Sequence, residues 1–185
     1  ANGSGKWLVW VGIGALSGVL LAPVLTGSIP MMRVLATPTA ETFRLVLILT
    51  AGMGVLFVPG LVAYCVVGGR GTAVFTTALA GLLMGILTPY FWDSLLSMTL
   101  TGLIAEGIIA LITRYQPGNG RLLATIGAIL GVLAAGGSFL GHGSLGLTGW
   151  QSVVVVGTAV VTSTLFALLA YAISRPIRSK VKNDT

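Results

Sequence analysis

Six continuous apolar runs set the strongest limit on how this chain folds. They cover approximately residues 7–25, 43–67, 72–88, 92–113, 122–140 and 150–173. A membrane-crossing helix needs about 20 apolar residues, whereas a strand of a membrane barrel alternates polar and apolar residues over about ten. The runs are too long and too evenly apolar for such strands. They predict an all-α membrane protein, with six transmembrane helices in a single domain spanning residues 1–185.

The composition agrees with this class and excludes several others. Charged residues make up 8% of the chain, roughly a third of the share of about 25% in soluble domains. Six spans leave no room in 185 residues for an ATPase domain, and the sequence carries no Walker motif and no H-E-x-x-H motif. The single cysteine, Cys65, excludes an internal disulfide and a cysteine-cluster metal site. We therefore expect a protein that is not an enzyme and has no resident cofactor or metal.

Eight of the ten basic residues fall on one side of a six-span topology. That side would hold Lys6, Arg70, Arg114, Arg121, Arg175, Arg178, Lys180 and Lys182. Positive loops mark the cytoplasmic side of a membrane protein, so both termini are expected there, with 174–185 as a basic tail. Because these residues stand singly between apolar runs, we expect the lipid bilayer and not a nucleic acid as their partner.

The first outer loop, at approximately residues 26–42, is the longest. It is expected either to fold over the outer end of the bundle as a lid or to rest on the lipid headgroups. Glu41 and Arg44 are three residues apart and would pair, which leaves Arg33 to meet an anionic group of a substrate. Glu41 and Arg33 are both candidate substrate contacts.

A cluster of aromatic and polar residues opens the fourth span. Tyr90 and Trp92 would stack on a flat heterocycle, and the Asp93 carboxylate would bind its polar edge. Alternatively, the aromatics form a belt at the headgroups and Asp93 caps the helix. Ser97 and Thr101 follow at four-residue spacing, which predicts a polar stripe facing a pocket in the bundle.

Two further titratable residues stand out. Glu106 lies eight residues before Arg114, about 12 Å from the cytoplasmic end of its span. It would be either a coupling group or a buried carboxyl bonded to Thr76 or Thr77. His142 is the only histidine and does not make a zinc site alone, although with Met31 or Met32 it would be able to ligate a haem iron.

Small residues recur at four-residue spacing on several spans. Such faces let helix backbones approach closely in lipid. The faces of the fifth and sixth spans (Gly127, Gly131 and Ala135; Ala159, Ser163 and Ala167) are expected to pack within the chain. The first span is terminal, so its face, formed by Gly14, Gly18 and Ala22, is a candidate partner interface.

The stretch from Gly60 to Tyr115 resembles the substrate-binding S components of energy-coupling factor (ECF) vitamin transporters, nearest to the YkoE-like branch associated with thiamine and hydroxymethylpyrimidine. The resemblance lies in Ala63-Tyr64, in Gly69-Arg70-Gly71 and in the segment from Gly102 to Glu106. It covers under a third of the chain through short apolar patterns.

The resemblance implies a prokaryotic cell-membrane protein that binds a vitamin-like solute at its outer half. The protein would then topple against a transmembrane T component driven by two ATPase subunits. The small face of the first span would meet the T component. Binding residues of the family come from positions that correspond here to Arg33, Trp92, Ser97, Thr101, His142 and Trp150.

Two departures from the family bear on the substrate. Thr77 and Met84 stand where YkoE-like relatives carry glutamates, which argues against a cationic thiamine and for an uncharged, anionic or larger solute. Uptake of haem or a metal complex by the same architecture is one alternative. The other is a membrane accessory or assembly subunit that transports nothing.

Overall fold

The computed structural model describes residues 4–34, 42–116, 119–142 and 147–183, and these form a bundle of seven α-helices without a β-strand. A 3-10 turn at Gly54–Phe57 joins the second helix to the third. The helices are α1 (Ser4–Val34), α2 (Thr42–Met53), α3 (Val58–Val67), α4 (Thr72–Leu87), α5 (Phe91–Thr113), α6 (Gly120–His142) and α7 (Gly149–Asn183).

The lengths of the apolar segments are those of a membrane protein. Within the described ranges, four segments are long and apolar enough to cross a bilayer: Phe43–Val67, Phe91–Thr113, Gly120–Gly137 and Gly149–Ser179. Two shorter apolar helices, Leu8–Pro23 and Thr72–Leu87, accompany them. The all-α membrane class predicted from the sequence is therefore supported, with four helices of spanning length and two shorter ones.

Two helices run past the ends predicted from the sequence. Helix α1 continues to Val34 through Pro30, so the first part of the expected loop at 26–42 is helical. Helix α7 continues through Pro176 to Asn183, so most of the expected basic tail is helical too. A proline removes one backbone donor but does not always end a helix whose neighbours supply other contacts. Residues 35–41, on which the lid prediction depends, lie outside the described part of the chain.

Close contacts between backbones hold the bundle together. Helix α4 packs against α1 and α5, and α6 packs along α7. A Cβ added to Gly81 would lie 2.6 Å from the Cβ of Met98 on α5. One added to Gly127 would lie 2.7 Å from the Cβ of Ala167 on α7. The predicted packing of the small faces of the fifth and sixth spans within the chain is confirmed.

The small face of α1 is also used within the chain. Gly14, Gly18 and Ala22 are all buried. A Cβ added to Gly18 would lie 2.7 Å from the carbonyl oxygen of Ala80 on α4. Because α4 already covers this face, the expectation that it forms the interface with a partner protein is corrected.

The second apolar segment changes neighbours at the 3-10 turn. Helix α3 packs against α4 and α7, whereas α2 packs mainly against α7 and has at most marginal contact with α4 and α5 over the described residues. At the turn, a Cβ on Gly54 would lie 2.8 Å from the Phe166 ring and 3.0 Å from the Cα of Ser163. Over the described residues, the bundle is therefore closely packed around α3, whereas α2 lies apart from the α4–α5 pair.

Candidate functional site

Two turns meet at one end of the bundle, which we call the basic end. The first turn, Gly68–Gly71, joins α3 to α4, and the second follows α5 at Arg114. The side chain of Glu106 on α5 reaches the first turn and the start of α4. Its Oε1 accepts a hydrogen bond from the Gly71 N–H at 2.7 Å, and its Oε2 accepts one from the Ala73 N–H at 2.9 Å.

The sequence of the first turn explains why a carboxylate from another helix is needed. Gly71, at the N-cap of α4, is left-handed with φ of 78° and has no side chain to cap the helix. The first N–H groups of a helix have no partner within it, and the positive end of the helix dipole favours an anion there. Glu106 supplies both the acceptors and the charge.

Thr72 stabilises the same turn from the other side. Its hydroxyl lies 2.9 Å from the carbonyl oxygens of both Gly68 and Gly69. Gly68 and Gly69 have φ of 67° and 98°, a region that favours glycine. The Gly-Gly-Arg-Gly run is therefore required by the shape of the turn.

The second turn is held by Tyr64 of α3. The Tyr64 hydroxyl lies 2.9 Å from the Thr113 hydroxyl and also within hydrogen-bonding distance of the Gln116 carbonyl oxygen. Arg114 and Tyr115 both have positive φ, a strained conformation for residues other than glycine. The contact with Tyr64 helps to fix this conformation.

Tyr115 and Arg70 connect the two turns. The Arg70 guanidinium carbon lies 5.8 Å from the centroid of the Tyr115 ring, which is a cation–π distance. Desolvation raises the pKa of Tyr115 above its usual value of 10, and the hydrogen bond to Glu106 and the negative charge of that residue raise it further. The positive charge of Arg70 lowers the pKa of Tyr115 and opposes these effects.

A half-open cavity of about 260 Å³ lies beside these turns. Its lining includes the half-buried Cys65 and the exposed Arg178 of α7. Residues 178, 115 and 70 thus lie at the same end of the bundle. This agrees with the one-sided charge distribution predicted from the sequence, while the side of the membrane on which the basic end lies stays a prediction.

This geometry corrects one alternative for Glu106. Its carboxylate bonds to the backbone of Gly71 and Ala73 and not to Thr76 or Thr77. Thr77 donates instead to the Ala73 carbonyl oxygen at 2.7 Å, and the buried Thr76 hydroxyl has no partner among the described residues. The role of Glu106 in coupling stays a prediction.

The polar stripe predicted on the fourth span lies differently from the expectation. Trp92 is 69% exposed, and Asp93 and Ser97 are also exposed. The buried face of α5 instead carries Ser94, Met98, Gly102 and Ala105. The predicted stripe begins one residue before this buried face, and one residue corresponds to a rotation of about 100° around a helix. The expectation that the stripe faces the bundle is therefore corrected.

The remaining predicted contacts differ in exposure. Tyr90 and Thr101 are half-buried. Trp150 is 62% exposed, with its ring edge-on to Phe43 at 5.3 Å between centroids. Exposed tryptophans at helix ends are typical of an aromatic belt, which favours that alternative for Trp92; the exposure of Trp150 is of the same kind.

Asp93 does not cap its helix. Tyr90 is the N-cap of α5, and Asp93 lies in the first turn without a capping hydrogen bond. The N-cap alternative for Asp93 is therefore wrong, although its charge still favours the positive end of the helix dipole.

Several predicted residues lie outside the described part of the chain. Glu41 is not described, and neither are the side chains of Arg33, Met31, Met32 and His142. Within the described residues, no group of three or more His, Cys, Asp or Glu side chains is placed to hold a metal ion.

The sequence carried only a partial signal for the site at the basic end. The Gly-rich turn and Glu106 were visible, but the contributions of Tyr115, Thr113 and Arg178 were not. The Tyr64–Thr113 and Gly71–Glu106 contacts join residues 49 and 35 positions apart. Only the packing of α3, α4 and α5 brings them together.

Comparison with known proteins gives no match to any family model, curated protein or solved structure. The fold and site therefore define the protein by class alone, as a helical membrane protein with a polar network at one end of its bundle.

Proposed function

We propose that this chain is a solute-binding membrane subunit, an S component of an ECF-type importer. It would capture a vitamin or a similar heterocyclic precursor at the end of the bundle opposite the basic end. Its energy would come from a transmembrane T component and two ATPase subunits, because the chain itself has no nucleotide-binding motif.

The observation that carries this proposal is the divergence of α2 from α4 and α5. Ligand sites in helix bundles lie between helices, and a helix interrupted partway through a membrane often marks such a site. The 3-10 turn at Gly54–Phe57 is such an interruption. A solute would enter between α2 and the α4–α5 pair, above the closed packing around α3.

The exposure of the predicted contacts divides them into two groups. Tyr90 and Thr101 are half-buried, so they remain candidates to contact the solute at the edge of this opening. Trp92, Asp93 and Ser97 are exposed, so they would touch the solute only if another element covered them. The T component would contact a surface other than the small face of α1, which α4 occupies.

The direct test is a thermal-shift and binding screen of the purified protein in lipid nanodiscs. The panel would contain thiamine, hydroxymethylpyrimidine, other water-soluble vitamins, haem and haem precursors. We expect one compound to raise the melting temperature by several degrees, since a ligand at 100 times its Kd adds about 2.7 kcal/mol. Affinity purification from the native host should recover a T component and two ATPases.

Two variants of α5 provide a matched comparison. Thr101→Val should weaken binding of the compound identified, whereas Ser97→Ala, one turn away and more exposed, should leave it unchanged. If no compound shifts the melting temperature and no T component or ATPase co-purifies, the transporter proposal is wrong. An accessory or assembly role would then take its place.

A further inference from the structure

The cavity at the basic end has a lining that suits an anion. It lies between the end of α3, the two turns and the last part of α7. Its polar and reactive lining comes from Tyr64, Cys65, Gly68, Gly69, Tyr115 and Arg178. Among the residues that the structure describes, none of those that line it is acidic.

The charges around the cavity are predominantly positive. Arg178 lines it, and Arg70 stacks on the Tyr115 ring that forms part of its wall. The nearest described acid is Glu106, whose two oxygens already accept hydrogen bonds from Gly71 and Ala73. A ligand in the cavity therefore meets the Arg178 guanidinium directly. Arg70 lies outside the lining, stacked on the Tyr115 ring, and the Glu106 carboxylate is bonded to the backbone of the first turn.

The backbone of the first turn adds a free donor. The Gly68 N–H is bonded to the Tyr64 carbonyl oxygen at 2.9 Å. The Gly69 N–H, in contrast, has no partner within the described part of the chain. The Thr72 hydroxyl is within hydrogen-bonding distance of the carbonyl oxygens of both glycines, which fixes the conformation of the turn.

We propose that this cavity binds a phosphate group, with the Arg178 guanidinium and the Gly69 N–H as its principal donors. Guanidinium groups pair with phosphate through two parallel hydrogen bonds. Basic pockets between membrane helices suit the headgroups of anionic lipids, and this cavity opens where the helices end. The headgroup of an anionic phospholipid and a free phosphate ester share the chemistry required.

Cys65 makes the proposal directly measurable. It is the only cysteine of the chain, and it lines the cavity. A bound phosphate group should therefore slow its reaction with a maleimide. The rate would be measured in nanodiscs of a neutral glycolipid that carries no phosphate, in nanodiscs that also contain phosphatidylglycerol, and in the neutral glycolipid with added glycerol phosphate. Potassium chloride at equal ionic strength serves as the salt control.

Arg178→Gln and Arg175→Gln form the matched pair of variants. Arg175 lies three residues earlier on α7, where it stacks on Tyr171 at 5.7 Å and does not line the cavity. We expect Arg178→Gln to weaken the protection of Cys65 by about tenfold or more, as for the loss of a charged donor. Arg175→Gln should leave it within about twofold.

The pattern of protection identifies the source of the phosphate. Protection by phosphatidylglycerol alone assigns the site to a lipid headgroup, and protection by glycerol phosphate in neutral lipid assigns it to a soluble ester. Protection by neither overturns the proposal, as does protection that chloride reproduces or that both variants lose equally. The wild-type comparison of glycerol phosphate and phosphatidylglycerol with chloride decides the question even if Arg178→Gln does not fold.

Discussion

Replacing Glu106 tests the bond network of the basic end most directly. Glu106→Ala removes the acceptor of two backbone N–H groups at the start of α4. A hydrogen bond to a charged group contributes about 1.5–3 kcal/mol, and more of this is lost where the orphaned donor stays buried. The Gly71 N–H is exposed and water will replace its partner, whereas the Ala73 N–H is partly buried.

The expected loss of stability follows from this difference. Most of the cost comes from Ala73, so we expect Glu106→Ala to lower the free energy of unfolding by about 2–3 kcal/mol. Glu106→Gln keeps one acceptor oxygen and should cost about 1–2 kcal/mol. For a chain of this length, each kcal/mol lowers the melting temperature by about 2–4 °C. The alanine variant should therefore melt about 4–12 °C below the wild type.

The unfolding assay follows the intrinsic fluorescence of the four tryptophans while the purified protein is heated in detergent. Asp93→Ala is the matched control, because Asp93 is also a helical acid but makes no capping hydrogen bond. Its loss should cost at most about 1 kcal/mol. One kcal/mol corresponds to about 2 °C or more for a chain of this length. A Glu106→Ala melting temperature within about 2 °C of the wild type, or a shift no larger than that of Asp93→Ala, would refute the capping of α4 by Glu106.

Two other perturbations follow from the described contacts. Gly18→Ala should destabilise the protein by about 1–3 kcal/mol, because the new Cβ would lie 2.7 Å from the Ala80 carbonyl oxygen. Gly12→Ala is the control and should not destabilise it, because a Cβ there meets nothing within 4 Å. Equal melting temperatures for the two variants would contradict the α1–α4 packing. Absorbance titration should show Tyr115 ionising above pH 10 in the wild type and at lower pH in Glu106→Ala, because that variant removes both the hydrogen bond and the negative charge. Since the folded state raises this pKa, its contribution to stability is present below pH 10 and is lost as the pH rises through the folded pKa.

The class of the fold was predictable because the bilayer sets the length and the composition of a spanning helix. The ends of α1 and α7 were not, since Pro30 and Pro176 are accommodated inside helices that the sequence pattern would end earlier. A run of apolar residues contains little information about where a helix stops once its neighbours continue to cover it.

Helix faces were predicted with uneven success, for a physical reason. Small-residue spacing identifies a face that packs closely but not the helix that packs on it. Gly127 was assigned correctly to a neighbour in the chain, whereas Gly18 was assigned to a partner protein and instead meets α4. Ser97 was likewise assigned to the wrong face of its helix. It is exposed, whereas the next residue on α5, Met98, is buried.

The short length of helix α4 bears on the shape of the surrounding bilayer. Its 16 residues extend about 24 Å at 1.5 Å per residue, less than the 30 Å or so of a typical hydrocarbon core. Phe75, Ile86 and Leu87 of this helix are exposed, so lipid chains would meet it directly. If α4 crosses the bilayer as the sequence predicts, the mismatch would be relieved by local thinning of the bilayer beside it, at a cost of fractions of a kcal/mol per Å. Such thinning would draw the headgroups on that side inward, so the lipid layer around this bundle would be asymmetric.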